Sequence, residues 1–535
     1  MKELAAGRTQ TIQMGVSFPF RVAAVDIGSN AIRFLVAEFS GPGIWRAIES
    51  QRRPVRLGHD VFLTGRLTEA AMEAAMGALR EFRAAWTTLG VSRVRAVATS
   101  AMREANNGEA FAERIRRELD LALEVIPGAE EARLVHMAIR SRVDMGKSRW
   151  ISIDVGGGSV EISLVDKDGI LWSESHAMGS VRLLEELSEA GEEHGRFVRL
   201  LAEYLGVLHL PEVAERYRPA GLIATGGNIE SLVKHFSGGE KDGMSIISIH
   251  ALRSAIETLS RLSYHRRMEE FGLRPDRADV ILPAAMVYER VATLAGASEI
   301  LVPFVGVREG VVLDLADHIV CPDDSEGRRD RQVNSACLAL GRRYLFDEAH
   351  CAHVAELAQS LFDQLQTATG LSAEDRRILS AASLLHDIGG FISSKSHHKH
   401  SYYIISNSQI PGLGDENVHL VALVARYHRK SEPSLRHAEF SPLSAADQIR
   451  VQYLVGILRL ADALDREHLQ RVLSLQARVQ EGQLLLSLVA GGDLVLERWS
   501  IKKKAQLITR LLDLTLVIRA DRISDSSIAP ALQAG

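Results

Sequence analysis

Trp150-Ile-Ser-Ile-Asp154-Val-Gly156-Gly157-Gly158-Ser159-Val-Glu161-Ile-Ser-Leu-Val165 reads as strand, glycine turn, strand. Ile151, Ile153 and Val155 alternate as a buried strand requires, and three successive glycines let backbone N–H groups crowd around an anion with no Cβ in the way. Asp154 enters the turn and Glu161 leaves it, so two carboxylates can face a bound phosphate and hold the Mg²⁺ that neutralises it. Taken alone, the glycine run is equally consistent with a bulged hairpin.

Repetition shifts the balance. Val22-Ala-Ala-Val-Asp26-Ile-Gly28-Ser29-Asn30-Ala-Ile-Arg33-Phe-Leu-Val36 has the same order of strand, Asp-x-Gly-small-small and strand, with Asp154 standing 128 positions after Asp26. The duplication predicts two similar lobes whose hairpins grip a phosphate from opposite sides of a cleft. A third turn, Leu222-Ile-Ala-Thr225-Gly226-Gly227-Asn228, follows an apolar strand and opens a helix, whose N-terminus favours anions. Three such turns imply a phosphate-rich ligand.

At 535 residues the chain exceeds one core and implies several domains. Apolar content of 46% with 24% charged residues describes a globular protein, and a net charge of −5 leaves any basic groove to be local. Cys321, Cys337 and Cys351 form neither a CxxC pair nor an even framework, which fits a reducing compartment. Cytoplasmic location is therefore expected, with neither a membrane nor a nucleic acid as partner.

Residues 21–145 alternate strand and helix patterns and form a first α/β lobe after a loose tail over 1–20. The strand before Thr99-Ser-Ala-Met-Arg103 delivers Arg103, a guanidinium able to pair phosphate oxygens bidentately, although an Arg after a strand is more often a surface ion pair. Pro127-Gly128-Ala-Glu130-Glu131 opens a helix. Glu130 suits a plain dipole-complementing role, whereas Glu131 can orient or deprotonate a water between the lobes. The second lobe covers 146–320; Gly306 and Gly310 in its last segment read as packing glycines, and Cys321 to Arg331 as a charged, turn-rich linker.

Residues 332–470 are helical and carry His350, the pair His386-Asp387 and the distant Asp462, which can converge on a divalent metal in a bundle. Lys395, His397, His398, Lys399, His400, Arg426, Arg429 and Lys430 read as a cationic surface along which a polyanion could pass, although His397, His398, His400 and His428 are also potential metal ligands. Residues 471–520 read as a small β-rich cap with no chemistry, and 521–535 as a disordered tail.

Taken together, Asp26-Ile-Gly-Ser-Asn30, Thr99-Ser-Ala-Met-Arg103, Gly128-Ala-Glu-Glu131, Asp154-Val-Gly-Gly-Gly-Ser-Val-Glu161, Thr225-Gly-Gly-Asn228 and Arg308-Glu-Gly310 resemble, in order and spacing, the exopolyphosphatase / guanosine pentaphosphate phosphohydrolase family. The resemblance implies a duplicated actin-like (ribonuclease H-like) two-lobe α/β fold, followed by an all-α HD-like domain and a small α+β cap. It implies Mg²⁺ (or Mn²⁺), and suggests K⁺. Glu131 would activate water, Asp154 and Glu161 would serve metal and water, and Arg103 would hold the terminal phosphate. Asp26, Gly28, Ser29, Asn30, Gly156, Gly157, Gly158, Ser159, Gly226, Gly227 and Asn228 would bind phosphate. The C-terminal part resembles an HD phosphohydrolase domain in which His350, His386, Asp387 and Asp462 are retained, so a second divalent metal site is expected. Inorganic polyphosphate is the leading substrate, and guanosine pentaphosphate (pppGpp), with its product ppGpp, the alternative. An actin-like kinase or a non-catalytic sensor fits the acidic turns less well. The long C-terminal half offers a surface for a homodimer.

Overall fold

The computed structural model describes residues 16–522 apart from 189–193, 211–217, 237, 242 and 321. Most of both expected tails, and Cys321, therefore lie outside the described residues. By contact density the chain divides into two units, Met1–Gln332 and Val333–Gly535.

In the first unit, β1 (Phe20–Ile27), β2 (Ile32–Gly41), β3 (Ile44–Arg53), β4 (Arg93–Ala98) and β5 (Leu123–Val125) form a sheet in the order β3-β2-β1-β4-β5. β6 (Trp150–Val155), β7 (Val160–Val165), β8 (Ile170–His176), β9 (Leu222–Thr225), β10 (Gly239–Lys241), β11 (Met244–Ser248) and β12 (Glu299–Val302) form the second, in the order β10-β11-β12-β9-β6-β7-β8. The order β8-β7-β6-β9-β12 repeats β3-β2-β1-β4-β5, with an antiparallel hairpin and a parallel neighbour at each centre. The duplication is thus real, and the fold is the actin-like two-lobe α/β arrangement. Every residue of β7 is buried, as is all of β6 after Trp150, because helices cover both faces of each sheet's centre.

Helix Val307–Val320 packs on helix Gly128–Arg140 so closely that a Cβ on Gly310 would stand 2.0 Å from the Leu134 carbonyl oxygen. Gly306 differs: a Cβ there would meet only Glu309 Oε2, at 3.9 Å, so the expectation of a packing role holds for Gly310 alone.

The expected linker after residue 320 is instead helical. Pro322–Arg343 is one helix, and the boundary between units falls inside it. Pro322 opens this helix, where its missing N–H costs nothing, and the charged run that suggests a loop is helical throughout its described residues.

The second unit packs helices Glu348–Thr369, Ala373–Leu385, His397–Ser406, Asp415–Arg426 and Ala445–Leu464 against a three-stranded sheet of β13 (Val472–Gln480), β14 (Gln483–Ala490) and β15 (Thr515–Arg522). One apolar core runs through both, from Val333 to Ile508, so the expected cap at 471–520 is continuous with the helical part. It carries two short helices, Val495–Lys504 and Gln506–Leu511.

Gly310→Ala should lower stability by about 1–3 kcal/mol through overpacking against backbone that cannot yield. Gly306→Ala should shift it by less than about 0.5 kcal/mol. Urea midpoints of the two variants check this; equal midpoints would refute the packing role.

Candidate active site

Asp154 and Glu161 are direct partners across the β6–β7 hairpin, which places both carboxylates at the mouth of its glycine turn. Glu131 comes from the first turn of helix Gly128–Arg140. That helix reaches the hairpin because residue 128 has no side chain: a Cβ there would meet Ser175 Cβ at 2.8 Å and Glu161 Oε1 at 3.6 Å. One oxygen from each of Glu131, Asp154 and Glu161 lies within 4.8 Å of the others, and all three residues are buried.

Their environment is incomplete as it stands. Ser175 Oγ donates to Glu161 Oε1 at 2.8 Å and Thr225 Oγ1 donates to Asp154 Oδ1 at 2.7 Å. Glu131 Oε2 and Glu161 Oε2 are buried with no hydrogen-bond partner among the described residues. Burial, reinforced by the other two carboxylates, pushes Glu131 well above the ordinary glutamate range. Burial and Asp154 push Glu161 up to about 7, and burial also raises Asp154. Orphaned oxygens on two of three converging hard carboxylates fit a divalent cation with oxygen preference, such as Mg²⁺ or Mn²⁺. Asp26 stands on β1 at the position equivalent to Asp154; burial raises it to about 6 while Arg33 pulls the other way from 3.9 Å.

The glycine turns converge as expected. A Cβ on Gly157 would stand 2.9 Å from Ser29 Cβ and 3.1 Å from Asn30 N, so this turn is pressed against the other lobe's. A Cβ on Gly158 would meet Ser100 Oγ at 2.3 Å, and Ser100 shares a 2.9 Å hydrogen bond with Ser29. The carbonyls of Gly156, Gly157 and Gly158 accept hydrogen bonds from N–H groups of residues 179–182, and Arg182 Nε adds a bond to Gly158. This holds the carbonyls on one side of the turn, as an anion-facing amide surface requires. Gly156 N–H closes the hairpin onto the carbonyl of Ser159. Gly226, at φ +100°, borders Asp154, and helix Gly227–His235 follows. Asn228 is turned inward, accepting from Arg277 Nη1 at 2.5 Å and donating to Ser180 Oγ at 3.3 Å. Asn30 Nδ2 donates to the Asp276 carbonyl at 2.9 Å, tying the lobes together.

Arg103 lies on the short helix Ser100–Glu104, near enough to lower the proton affinity of Glu131 and Glu161, while one of its Nη1 hydrogens is spent on the Ile126 carbonyl at 2.6 Å. Glu130 belongs to a buried network with Arg95, Arg133 and Asp314, and so is structural.

Sequence reasoning missed the main cationic feature. A cavity of about 390 Å³ beside Gly226 and Gly227 is lined by Arg33, Arg52, Lys234, Arg274, Arg277 and Arg308, against the acids Glu230 and Glu309. Burial and the neighbouring Arg33, Arg52 and Arg274 push Arg277 down to about 9, the mark of a site short of negative charge. Arg33 and Arg308 stand within stretches already singled out for their acids and glycines; Arg277 had no such signal.

The expected cationic surface in the second unit is only partly one. Lys395, Lys399 and Lys430 are exposed, whereas His400, Arg426 and Arg429 are half-buried, and Arg426 pairs with Glu439 at 3.1 Å. His398 is buried and held down at about 4 by burial and by His397, so it carries no charge near neutrality. His397 turns inward, its Nε2 3.1 Å from Asp387 Oδ1. His350, His386 and Asp462 do converge, with His350 Nε2 and His386 Nε2 each 3.9 Å from Asp462 Oδ1. Their helices explain the placement: Asp347 caps Glu348–Thr369 by accepting from His350 N, and Ala373–Leu385 ends so that His386 and Asp387 leave its last turn together.

With this geometry in view, comparison with known proteins is informative. The family model described as Ppx/GppA phosphatase matches residues 36–319, and that described as Ppx/GppA phosphatase, domain III, matches 329–525. The chain belongs to the Ppx/GppA phosphatase family. It is 29% identical over 397 residues to a guanosine-5'-triphosphate,3'-diphosphate pyrophosphatase of Aeromonas hydrophila subsp. hydrophila, covering 73% of this chain and 77% of that protein. It is 28% identical, with the same coverage, to the protein so described in Aeromonas salmonicida. Among solved structures, an exopolyphosphatase from Cytophaga hutchinsonii matches with a TM-score of 0.51 and 26% identity, covering 56% of this chain and 98% of that one. No described helix of this family member is long and apolar enough to cross a membrane.

The buried acids give a pH dependence with a defined sign. Glu161 has a folded value of about 7 against an ordinary value of 4.5, so the folded state holds its proton longer than the unfolded chain. Stability of the metal-free protein is therefore fullest below the ordinary value and is lost as pH rises toward about 7. A divalent cation replaces the proton and restores it. In EDTA the urea midpoint should fall across this window, and excess Mg²⁺ should raise it most at the upper end; a flat EDTA profile would contradict the buried trio.

Proposed function

We propose that the first unit hydrolyses the terminal phosphoanhydride of a linear phosphate chain, with inorganic polyphosphate as substrate and orthophosphate as product. The convergence of Glu131, Asp154 and Glu161, with two orphaned carboxylate oxygens, carries this reading. Asp154 and Glu161 would hold Mg²⁺ or Mn²⁺, which supplies charge neutralisation on the transferred phosphoryl group. The turns at Gly28-Ser29-Asn30, Gly156-Gly157-Gly158-Ser159 and Gly226-Gly227-Asn228 offer backbone amides to phosphate oxygens, and Arg103 offers a guanidinium to the end group. Glu131, made basic by burial and by its acidic neighbours, takes a proton from the attacking water. The water oxygen bonds to the terminal phosphorus, the phosphoanhydride P–O bond breaks, and the shortened chain leaves as a phosphate anion. The cationic cavity favours a ligand with several charges beyond the one being removed.

A second reading keeps the chemistry and takes pppGpp as substrate. It is favoured by the pyrophosphatases that resemble this chain over 73% of its length. K⁺ as a further counter-ion to the phosphates and a homodimeric assembly belong to the same proposal.

Glu131→Gln should lower kcat by about 10²–10⁴-fold while substrate binding survives. Phosphate release measured with Mg²⁺ and K⁺ from long-chain polyphosphate and from pppGpp, with Glu131→Gln as control, separates the readings. Faster, end-by-end loss of polyphosphate supports the first and faster pppGpp cleavage the second. Unchanged release in Glu131→Gln would overturn both.

A further inference from the structure

A second cavity, of about 720 Å³, lies wholly within the first unit, and none of its lining residues is used by the hydrolysis proposed above. Its size suits a small organic molecule. Part of the lining is apolar: Phe39, buried, and Trp45, half-buried, stack with ring centroids 6.3 Å apart, and Met137 and Leu313 extend the surface. Much of the rest is charged. Two of its acids are matched within the lining, Asp314 by Arg133 at 2.8 Å and Asp317 by Arg328 at 3.0 Å. The other charged side chains around the space are Arg140, Lys167, Arg329 and Arg331 against Asp168. Cations therefore exceed acids in the lining, which favours an anion.

Two uncharged groups narrow the chemistry. Gln332 lines the cavity, is 8% exposed, and has its Nε2 buried with no hydrogen-bond partner among the described residues. A buried amide donor left unpaired is costly, so its position calls for an acceptor. His136 Nε2 lies 2.8 Å from the Asp166 carbonyl, which can only accept, so Nε2 carries the ring proton and Nδ1 presents a lone pair. Burial, with Arg140 and Arg133 nearby, pushes His136 down to about 4, so the ring is neutral near neutrality and Nδ1 stays an acceptor. The lining thus combines a demand for negative charge with a flat apolar surface, an unpaired donor and an acceptor.

The cavity is also walled by the helix that carries Glu131. Arg133, His136, Met137 and Arg140 all belong to Gly128–Arg140, and at 3.6 residues per turn they fall about 140–240° round its axis from Glu131. One face of this helix brings Glu131 to Asp154 and Glu161, and the other faces the cavity. Helix Val307–Val320 contributes Leu313, Asp314 and Asp317, while its first turn, at Arg308 and Glu309, borders the cationic cavity beside Gly226. The close approach at Gly310 leaves these two helices little freedom to move separately. We propose that the cavity is an effector site for a small organic anion with a flat apolar body and an O–H or N–H donor, whose binding shifts the helix that holds Glu131 and so changes the rate of hydrolysis. Binding there is independent of the role assigned to Glu131; the effect on rate rests on that role.

The probe is anilinonaphthalene sulfonate, which joins a flat aromatic body, a negative charge and an N–H donor; phenylnaphthylamine, the same body without the sulfonate, is its neutral control. Fluorescence titration of the full-length protein should show a saturable site that binds the sulfonate about 10-fold or more tighter than the neutral amine, as one charge-assisted contact supplies. Lys167→Glu, in an exposed turn, should abolish that preference. Gly169→Leu should abolish binding: a Cβ at Gly169 would meet only Gln332 Cα and Cγ, each at 3.8 Å, so a longer side chain grows into the cavity. Circular dichroism checks that the variants fold; if Gly169→Leu does not, Lys167→Glu decides. Saturating sulfonate should change kcat for phosphate release by about 5-fold or more. Equal binding of the two probes, a preference unchanged by Lys167→Glu, or full binding in folded Gly169→Leu overturns the site. Displacement of the probe by long-chain polyphosphate assigns the cavity to the path of the substrate and overturns it as well. Binding with unchanged kcat overturns the effector role. The titration needs no turnover, so absence of phosphate release would end the hydrolytic reading and leave the binding result standing.

Discussion

Three carboxylates buried within reach of one another set the terms for the first unit. Glu131, Asp154 and Glu161 repel each other where water cannot screen them, and each responds by clinging to a proton. Such a cluster persists only if the scaffold overdetermines it. Two strands bring Asp154 and Glu161 opposite each other, a helix start supplies Glu131, and Gly128 removes the side chain that would keep them apart. Thr225 and Ser175 satisfy one oxygen each of Asp154 and Glu161 and leave the rest of the cluster short of donors. The fold thus stores an electrostatic deficit that a cation relieves.

The arginines divide by the company they keep. Arg95 and Arg133 are locked between Glu130 and Asp314, and Arg95 also pairs with Glu124. Removing one member would strand a buried partner, so the network specifies the packing of helix Gly128–Arg140, and with it the position of Glu131. Arg33, Arg274 and Arg277 face a cavity in which positive charge is in excess. The depressed value of Arg277 and the raised value of Glu161 are opposite imbalances, burial among other cations in one case and burial beside another carboxylate in the other.

Much of this was legible in the sequence because it is local. The Asp-x-Gly hairpins, their repetition and the Glu131 helix start each lie within a few residues, where strand alternation and glycine chemistry leave a direct imprint. The repeated strand order followed from that repetition. What escaped notice depends on distant segments. Arg277 matters because Arg33 and Arg52 come from the other lobe, and no spacing rule connects them. The stretch after residue 320 was misread because a run of Asp, Glu, Arg and Gly residues is compatible with a linker or with a helix, and composition does not separate the two. The histidines near 397 were read both as a cationic surface and as potential ligands, because composition counts charges, whereas burial decides whether an imidazole carries one. His398, at about 4, and His428, at about 3, carry none near neutrality.

The two clusters of potential metal ligands differ in donor chemistry. The first unit offers carboxylate oxygens alone, a hard set whose strongest claim is on Mg²⁺ or Mn²⁺ accompanied by phosphate oxygens. The second offers four imidazoles and two carboxylates, with ring orientations fixed by Asp465 and by main-chain carbonyls. Softer nitrogen donors raise affinity along the first-row series, so the same mixture of ions is sorted by ligand type. Magnesium, which sheds its waters reluctantly, gains little from imidazole; zinc or iron gains much. Burial opposes ionisation of Asp462, but Lys504 and the neighbouring His428 and His386 outweigh it and hold the group down at about 2, so it is ionised near neutrality.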